Sequence, residues 1–304
     1  MPDYLDSAQL FASPLVTISD WRCRGTEPHF GEEEESSGYV LVFPRTGLYV
    51  ERRSGNDRVV ADPSRVLFFN AGDVYRVAHP VSGGDDCTGI RFNGKALLEF
   101  VRQNMPSADE DASPFHLPSA RSTNPMVLLL HRLRQNLLRR TTPDKLAIEE
   151  DASALLRQAL ELQLERRDPG QEPVRADTRK AHRDLAHAAR ILLAKRFRER
   201  LSLSDIARAI FSSPFHLARI FRSETGTSLH EHQIQLRLRA ALCEIVDGAR
   251  DLTALALELG FSSHAHFSFA FQRNFHASPS EIRFSSARQA KLSRNTKAAR
   301  VLLS

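Results

Sequence analysis

One pattern appears twice in the last hundred residues, and it restricts the fold more than any other feature. The first copy runs Leu203-Ser-Asp-Ile-Ala-Arg-Ala-Ile-Phe-Ser-Ser-Pro-Phe-His-Leu-Ala-Arg-Ile-Phe221. The second runs Leu252-Thr-Ala-Leu-Ala-Leu-Glu-Leu-Gly-Phe-Ser-Ser-His-Ala-His-Phe-Ser-Phe-Ala-Phe271. Each has a short amphipathic stretch with an inner alanine (Ala207, Ala256), then a Ser-Ser turn, then apolar anchors four apart. Leu217 and Phe221, like Phe267 and Phe271, are about one helical turn apart and share a face. A small inner residue lets two helices cross closely. The pattern predicts two helix-turn-helix units, the second helix of each shaped to enter a DNA groove.

Charge supports that reading. Residues 181–304 hold 19 Lys and Arg against 10 Asp and Glu, a net of +9, whereas residues 1–180 have a net of −4. A basic C-terminal half suits phosphate contact. No apolar run approaches the ~18 residues of a membrane span. The start, Met1-Pro-Asp-Tyr-Leu-Asp6, lacks the pattern of a secretory signal. Three cysteines give no disulfide framework, so a reducing cytoplasm is expected.

Residues 1–12 read as an amphipathic or irregular lead-in. Short β-rich runs follow at Leu15–Ser19, Tyr39–Phe43, Leu48–Glu51, Val66–Asn70, Val74–Ala78 and Thr88–Phe92. Turn signals separate them, among them Pro44-Arg-Thr-Gly47 and Asn70-Ala-Gly-Asp73, and the acidic run Glu32–Glu35 reads as a solvated loop. Such spacing predicts a sandwich or jelly-roll barrel. The pattern then turns helical over Lys95–Gln103, Pro125–Arg140 and Asp144–Arg166, with a loop at Met105–Pro125 and a linker at 168–173. Helices are also expected at Asp184–Glu199 and Leu229–Asp247, the latter long enough to set the two readers about one turn of B-DNA apart. Ser213 before Pro214 caps one recognition helix, and Gly226 ends it.

Over about 182–286 the chain resembles the AraC/XylS-type transcriptional regulators. The residues that carry the resemblance are Ala207, Ser213-Pro, Leu217-Ala-Arg219-Ile-Phe221, Gly226, Arg237-Leu-Arg-Ala-Ala, Ala256 and Gly260-Phe261-Ser-Ser-His-Ala-His-Phe267-Ser, closing with Phe271, Phe275, Ser278-Pro279 and Arg283. It departs at Phe269, where a basic residue is usual, at His276, where glycine is usual, and at Ile282, where an aromatic is usual. The resemblance implies an N-terminal cupin-like effector domain and a helical dimerisation region. Phe69-Asn-Ala-Gly-Asp-Val-Tyr-Arg-Val-Ala-His79-Pro looks like a degenerate cupin motif.

The expected fold is therefore α+β: a cupin-like β-barrel with helical dimerisation region, then an all-α domain with two helix-turn-helix units. The expected boundaries are 1–115 for the effector domain, 116–172 for the helical region and linker, 181–286 for the DNA-binding domain and 287–304 for a basic tail. The expected function is sequence-specific DNA binding controlled by a small effector, with homodimer formation and RNA polymerase contact.

The expected DNA contacts are Ser213, Phe215, His216, Ala218, Arg219 and Arg222 in the first reader and Ser263, His264, Ala265, Ser268 and Phe269 in the second. Arg219 suits both guanine acceptors at once; the alternative is a phosphate contact or a pair with Glu224. Ser213 and Ser263 stand where backbone N–H groups can help hold phosphate, although capping alone explains both. Without a central basic residue, the second reader should carry less sequence information. Trp21, Tyr39, Tyr75 and His79 are candidates for an effector pocket, or are simply core. Cys23, His79 and Cys87 are candidates for a soft metal or a redox switch, or are ordinary barrel residues; His29 is a further donor nearby. No paired His-x-His occurs, so metal catalysis is unsupported, no cofactor is implied, and the chain is expected not to be an enzyme.

Overall fold

The computed structural model describes residues 5–25, 27–53, 58–104, 113–139, 144–164 and 176–285. The 168–173 linker and the 287–304 tail lie outside them.

The N-terminal half is built on two antiparallel sheets. One has six strands in the order β1 (Leu5–Ala12), β2 (Val16–Cys23), β9 (Asp85–Phe92), β4 (Tyr39–Gly47), β7 (Arg65–Phe69), β10 (Ser119–Arg121). The other has four, in the order β3 (Glu34–Glu35), β8 (Val74–Ala78), β5 (Tyr49–Arg53), β6 (Arg58–Ala61). No ladder joins the sheets among the described residues, so they do not close into the expected barrel.

Strand side chains alternate between faces, and each sheet face has its own partner. Leu41, Phe43, Val66, Phe68, Ile90 and Phe92 pack on helices α1 (Gly94–Asn104), α2 (Asn124–Arg139) and α3 (Lys145–Leu164). The alternate residues Val40, Val42, Leu67, Phe69 and Cys87 face the second sheet, meeting Tyr49, Val59 and Ala61. A slip of one residue would exchange the two sets, so this burial pins the register.

Several expectations change. Residues 5–12 form a strand hydrogen-bonded to β2, not an irregular lead-in. Glu34 and Glu35 pair with Tyr75 and Val74, so part of the acidic run is an exposed edge strand. Pro44-Arg-Thr-Gly47 is not a turn: β4 runs through it with a bulge between Pro44 and Thr46. A proline cannot donate to a ladder, and a bulge is where a strand tolerates one. Ser119–Arg121, inside the expected loop, adds an edge strand through three pairs with β7.

The C-terminal half is helical: α4 (Ala176–Arg196), α5 (Leu203–Ala209), α6 (Pro214–Thr225), α7 (Leu229–Val246), α8 (Leu252–Glu258) and α9 (His264–Phe275). Helix α4 begins eight residues before the expected start and ends three before the expected end. Two small cores share α7. Ala189, Leu193, Ala207, Leu217, Phe221 and Leu236 form one; Leu238, Leu242, Ala256, Phe261, Phe267 and Phe271 form the other.

The two halves are docked. Arg190 of α4 donates to Asp62 at 2.6 and 3.0 Å and to the Val60 carbonyl at 2.6 Å. Val127 of α2 joins the second reader's core. Arg239 of α7 donates to the Ser122 carbonyl at 3.0 Å and to Asn124 Oδ1 at 3.2 Å. No helix among the described residues is long and apolar enough to cross a membrane.

Candidate nucleic-acid interface

The first reader is α6. Ser213, in extended conformation, caps it by accepting from the His216 N–H at 3.4 Å, and Pro214 fills the first helical position. Gly226 ends it at φ 74°, a left-handed conformation that costs glycine nothing. Leu217, Ile220 and Phe221 are fully buried beneath it. That leaves Phe215, His216, Arg219 and Arg222 exposed and Ala218 half-buried, as the spacing predicts. Among the described residues Arg219 makes no ion pair, so the pairing with Glu224 does not form. The His216 ring also meets His182 of α4, centroids 6.0 Å apart.

The second reader is α9. Ser263 caps it, accepting from the His266 N–H at 3.1 Å, and Ser262 lies 2.9 Å from His266 Nδ1. Beneath it Phe261, Phe267, Phe271 and Phe275 form a ladder of rings 5.2, 5.6 and 4.6 Å apart. His264, Ala265 and Phe269 are exposed and Ser268 is half-buried. His276 ends the helix at φ 55°, the left-handed position expected of the residue in the usual glycine's place.

Two features escaped the sequence reading. Phe211 stands in the first turn at φ 55° and is 97% exposed, and Phe215, four residues on, is 89% exposed. A bulky side chain held left-handed, with its ring in water, is uncommon enough to suggest a contact. Arg237 is not a DNA contact. It is buried, donating to the Phe197 and Glu199 carbonyls and to Gly260 at 2.6, 2.7 and 2.8 Å, so it ties the α4–α5 connection and the second reader's turn to α7. Gly260, at φ 84°, has no room for a side chain, since a Cβ would fall 2.1 Å from the Arg198 carbonyl oxygen.

The sequence of this region also matches known proteins. Residues 206–284 match the family described as a helix-turn-helix domain. Over 83 residues the chain is 34% identical to the regulatory protein SoxS of Salmonella typhimurium, covering 27% of this chain and 78% of SoxS. The chain belongs to the AraC-type helix-turn-helix regulators. It is also 37% identical over 83 residues to the HTH-type transcriptional regulator GlxA of Rhizobium meliloti, a match that spans only 26% of GlxA. Among solved structures, ToxT from Vibrio cholerae aligns with 89% of this chain and 98% of its own, at 12% identity and a TM-score of 0.37. The sequence matches to SoxS and GlxA cover about a quarter of this AraC-type chain.

In the N-terminal half, Trp21 and Tyr75 face the space between the sheets. The Trp21 ring lies against Gly89, where a Cβ would strike it at 2.0 Å. Tyr75 meets Phe69 edge-on at 5.0 Å and donates to Glu34 at 3.1 Å. Tyr39 is on the opposite face, packed with the helices, and so does not join them. His79 meets Cys23 and Asp85 instead: one ligand atom from each lies within 4.8 Å of the others. His79 Nε2 is 3.1 Å from Asp85 Oδ1. The Cys87 thiol donates to Asp85 Oδ2 at 3.2 Å, and burial pushes its pKa well up. Asp85, rather than Cys87, thus completes the group around Cys23 and His79, while His29 is exposed and outside it.

Proposed function

We propose that this protein is a sequence-specific transcriptional regulator that binds double-stranded DNA through α6 and α9 and senses a small effector with its N-terminal half. The observation that supports this most is that two capped helices on one shared α7 both leave their outer faces exposed. One chain then presents two readers on a rod of 18 residues, about 27 Å long. Arg219 is the base-reading residue, by bidentate bonding to guanine, with Arg222 as a phosphate contact. Ser213, Phe215, His216 and Ala218 complete the first reader; Ser263, His264, Ala265, Ser268 and Phe269 form the second. The sensing region is a cupin-like sandwich over 1–115, followed by a helical dimerisation region and linker over 116–172, the DNA-binding domain over 181–286 and a basic tail over 287–304. The working form is a cytoplasmic homodimer that contacts RNA polymerase, and not an enzyme.

Selection of bound sites from randomised duplexes by the full chain tests this. A recovered consensus is expected, and Arg219→Ala should relax one base pair of it at a cost of ~1–3 kcal/mol. Absence of any enrichment would remove the DNA-reading role. A uniform loss across all sequences with a smaller salt slope would make Arg219 a phosphate contact.

A second reading is favoured by the group Cys23, His79 and Asp85: the regulator responds to a borderline-soft divalent metal such as zinc. Thiolate, imidazole and carboxylate from three chain segments are a usual zinc donor set. Around a tetrahedral ion such ligand atoms stand about 3.4–3.6 Å apart, so these three, within 4.8 Å of one another, would close in by up to about 1.4 Å on binding. Cys87, bonded to the other Asp85 oxygen, would steady that carboxylate. Cobalt titration should give a thiolate-to-metal absorption band that Cys23→Ser abolishes and Cys87→Ser retains. No band in the wild type ends this reading.

A further inference from the structure

The Cys23–His79–Asp85 group draws on both sheets. Cys23 ends β2 and Asp85 opens β9 in the six-stranded sheet, where the two residues pair, and His79 follows β8 of the four-stranded one. Asp85 is 8% exposed, and its Oδ1 is buried without a hydrogen bond although His79 Nε2 is 3.1 Å away. A carboxylate oxygen buried in that way is costly unless a cation meets it. A thiolate and a carboxylate also cancel the charge of one divalent ion, so the filled group is neutral.

His79 and Asp85 are also the two feet of one loop, residues 80–84. The backbone of that loop is pressed onto its neighbours. A Cβ on Gly84 would fall 1.7 Å from the Cys23 carbonyl oxygen, and one on Gly47 would fall 2.0 Å from the Gly84 carbonyl oxygen. When its feet move, the loop has no free space in which to absorb the change. Its other contact is Val81, which packs on Leu48, Val50 and Val60, on the face of the four-stranded sheet turned away from the six-stranded one. An antiparallel sheet commonly leaves one face to water, but this face is apolar and Ile191 and Ala194 of α4 pack on the same cluster. Ala189 and Leu193 of α4 lie in the first reader's core with Leu217 and Phe221 of α6. One helix therefore meets the loop's cluster with some residues and the underside of α6 with others.

We propose that α4 responds to the metal group through the 80–84 loop, so that filling Cys23, His79 and Asp85 changes how α6 is held. This rests on the metal reading above. Ligand atoms that start within 4.8 Å of one another close to about 3.5 Å around the ion, which draws both feet of the loop toward Cys23. A shift of that size exceeds what a close-packed apolar contact absorbs, so Val81 repacks the cluster beneath Ile191 and Ala194. By linkage, metal and operator then change each other's affinity by one common factor. A metal that only stapled the two sheets together would leave α4 unaffected.

The test uses the full chain with and without cobalt, taking the thiolate-to-metal band as the measure of occupancy and amide hydrogen exchange as the response. Cobalt should slow exchange in β2 and β9, and in α4 around Ile191 and Ala194, by about fivefold or more. Val81→Ala keeps all three ligands. It should retain the band and the slowing in β2 and β9 but lose the slowing in α4. Unchanged exchange in α4 of the wild type, with the band present, overturns the coupling, and so does full slowing of α4 in Val81→Ala. Slowing of α4 that persists in Cys23→Ser, which lacks the band, overturns it as well. No band in the wild type is a different failure: it removes the metal reading, and the coupling with it. Cobalt should also shift the affinity of the wild type for its selected operator, and Val81→Ala should bring that shift back toward none. An operator bound equally with and without cobalt overturns the link to α6. If no operator is found, the DNA-reading role fails, and the exchange result still decides the coupling to α4.

Discussion

At the scale of single residues, local chemistry decides which groups can touch DNA. Arg219 is exposed because Leu217, Ile220 and Phe221 occupy the buried side of the same helix, and this follows from spacing alone. Phe211 shows what spacing misses. Its left-handed backbone comes from the hydrogen bond of the Ser212 N–H to the Ala207 carbonyl at 2.9 Å, which closes the turn around it. A phenylalanine held there stores strain of ~1–2 kcal/mol, part of which glycine would recover. Phe211→Gly should therefore raise unfolding free energy by about 1 kcal/mol in urea titration. It should also weaken DNA binding if the ring makes a contact. Stability equal to or below the wild type would show that the turn is not strained.

At the scale of elements, the two units are less alike than their sequences suggest. Their Ser-Ser pairs align, yet the inner alanines do not keep the same distance from the capping serines. Equivalent turn bonds are Ser212 N–H to Ala207 and Phe261 N–H to Ala256, at 2.9 and 3.0 Å. The second turn thus holds one more residue, which puts buried Phe261 where the first unit has Ser212. Both inner alanines have almost no exposed surface, at 1 and 0%. The helices cross too closely there for a longer side chain, as expected from the pattern. Ala256→Leu should cost 1–3 kcal/mol through overpacking and should impair the second reader more than the first. Tolerance of leucine, with unchanged thermal unfolding, would contradict that close crossing.

At the scale of the whole molecule, the docked halves bury ionisable groups that a separated pair would leave in water. Asp62 is fully buried; burial pushes its pKa up, but Arg190, His232 and Ser64 outweigh this and hold it well below the usual range. His131, His187 and His232 are driven down to about 3, 4 and 4, chiefly by burial. A histidine with a lowered folded pKa takes up its proton in the unfolded chain first. Between about pH 6.5 and 4 the unfolded state therefore binds more protons, and stability falls as pH falls. The Asp62 pair stabilises above the unfolded carboxylate value of about 3.9 and is lost only at lower pH. Stability followed from pH 7.5 to 4.5 should drop with a slope approaching three protons. A flat profile across this range would mean that these histidines are not buried in solution.

Residue pattern alone was enough for the two readers. Capping serines, inner alanines and anchors four apart are local signals, and helices answer to local signals. Strand runs such as Tyr39–Phe43 were legible for the same reason, although the continuation of β4 through Pro44–Gly47 was not. Edge strands were not: β3, β6 and β10 are two to four residues long, and their existence depends on a neighbour's ladder. Asp85 completes the Cys23–His79 group because β2 pairs with β9 from Val16–Phe92 to Cys23–Asp85, a register set by burial across the whole sheet. Arg239 reads in sequence as one more residue of a long helix. Only tertiary packing placed it against β4 and α2, since its surroundings come from residues more than a hundred positions away.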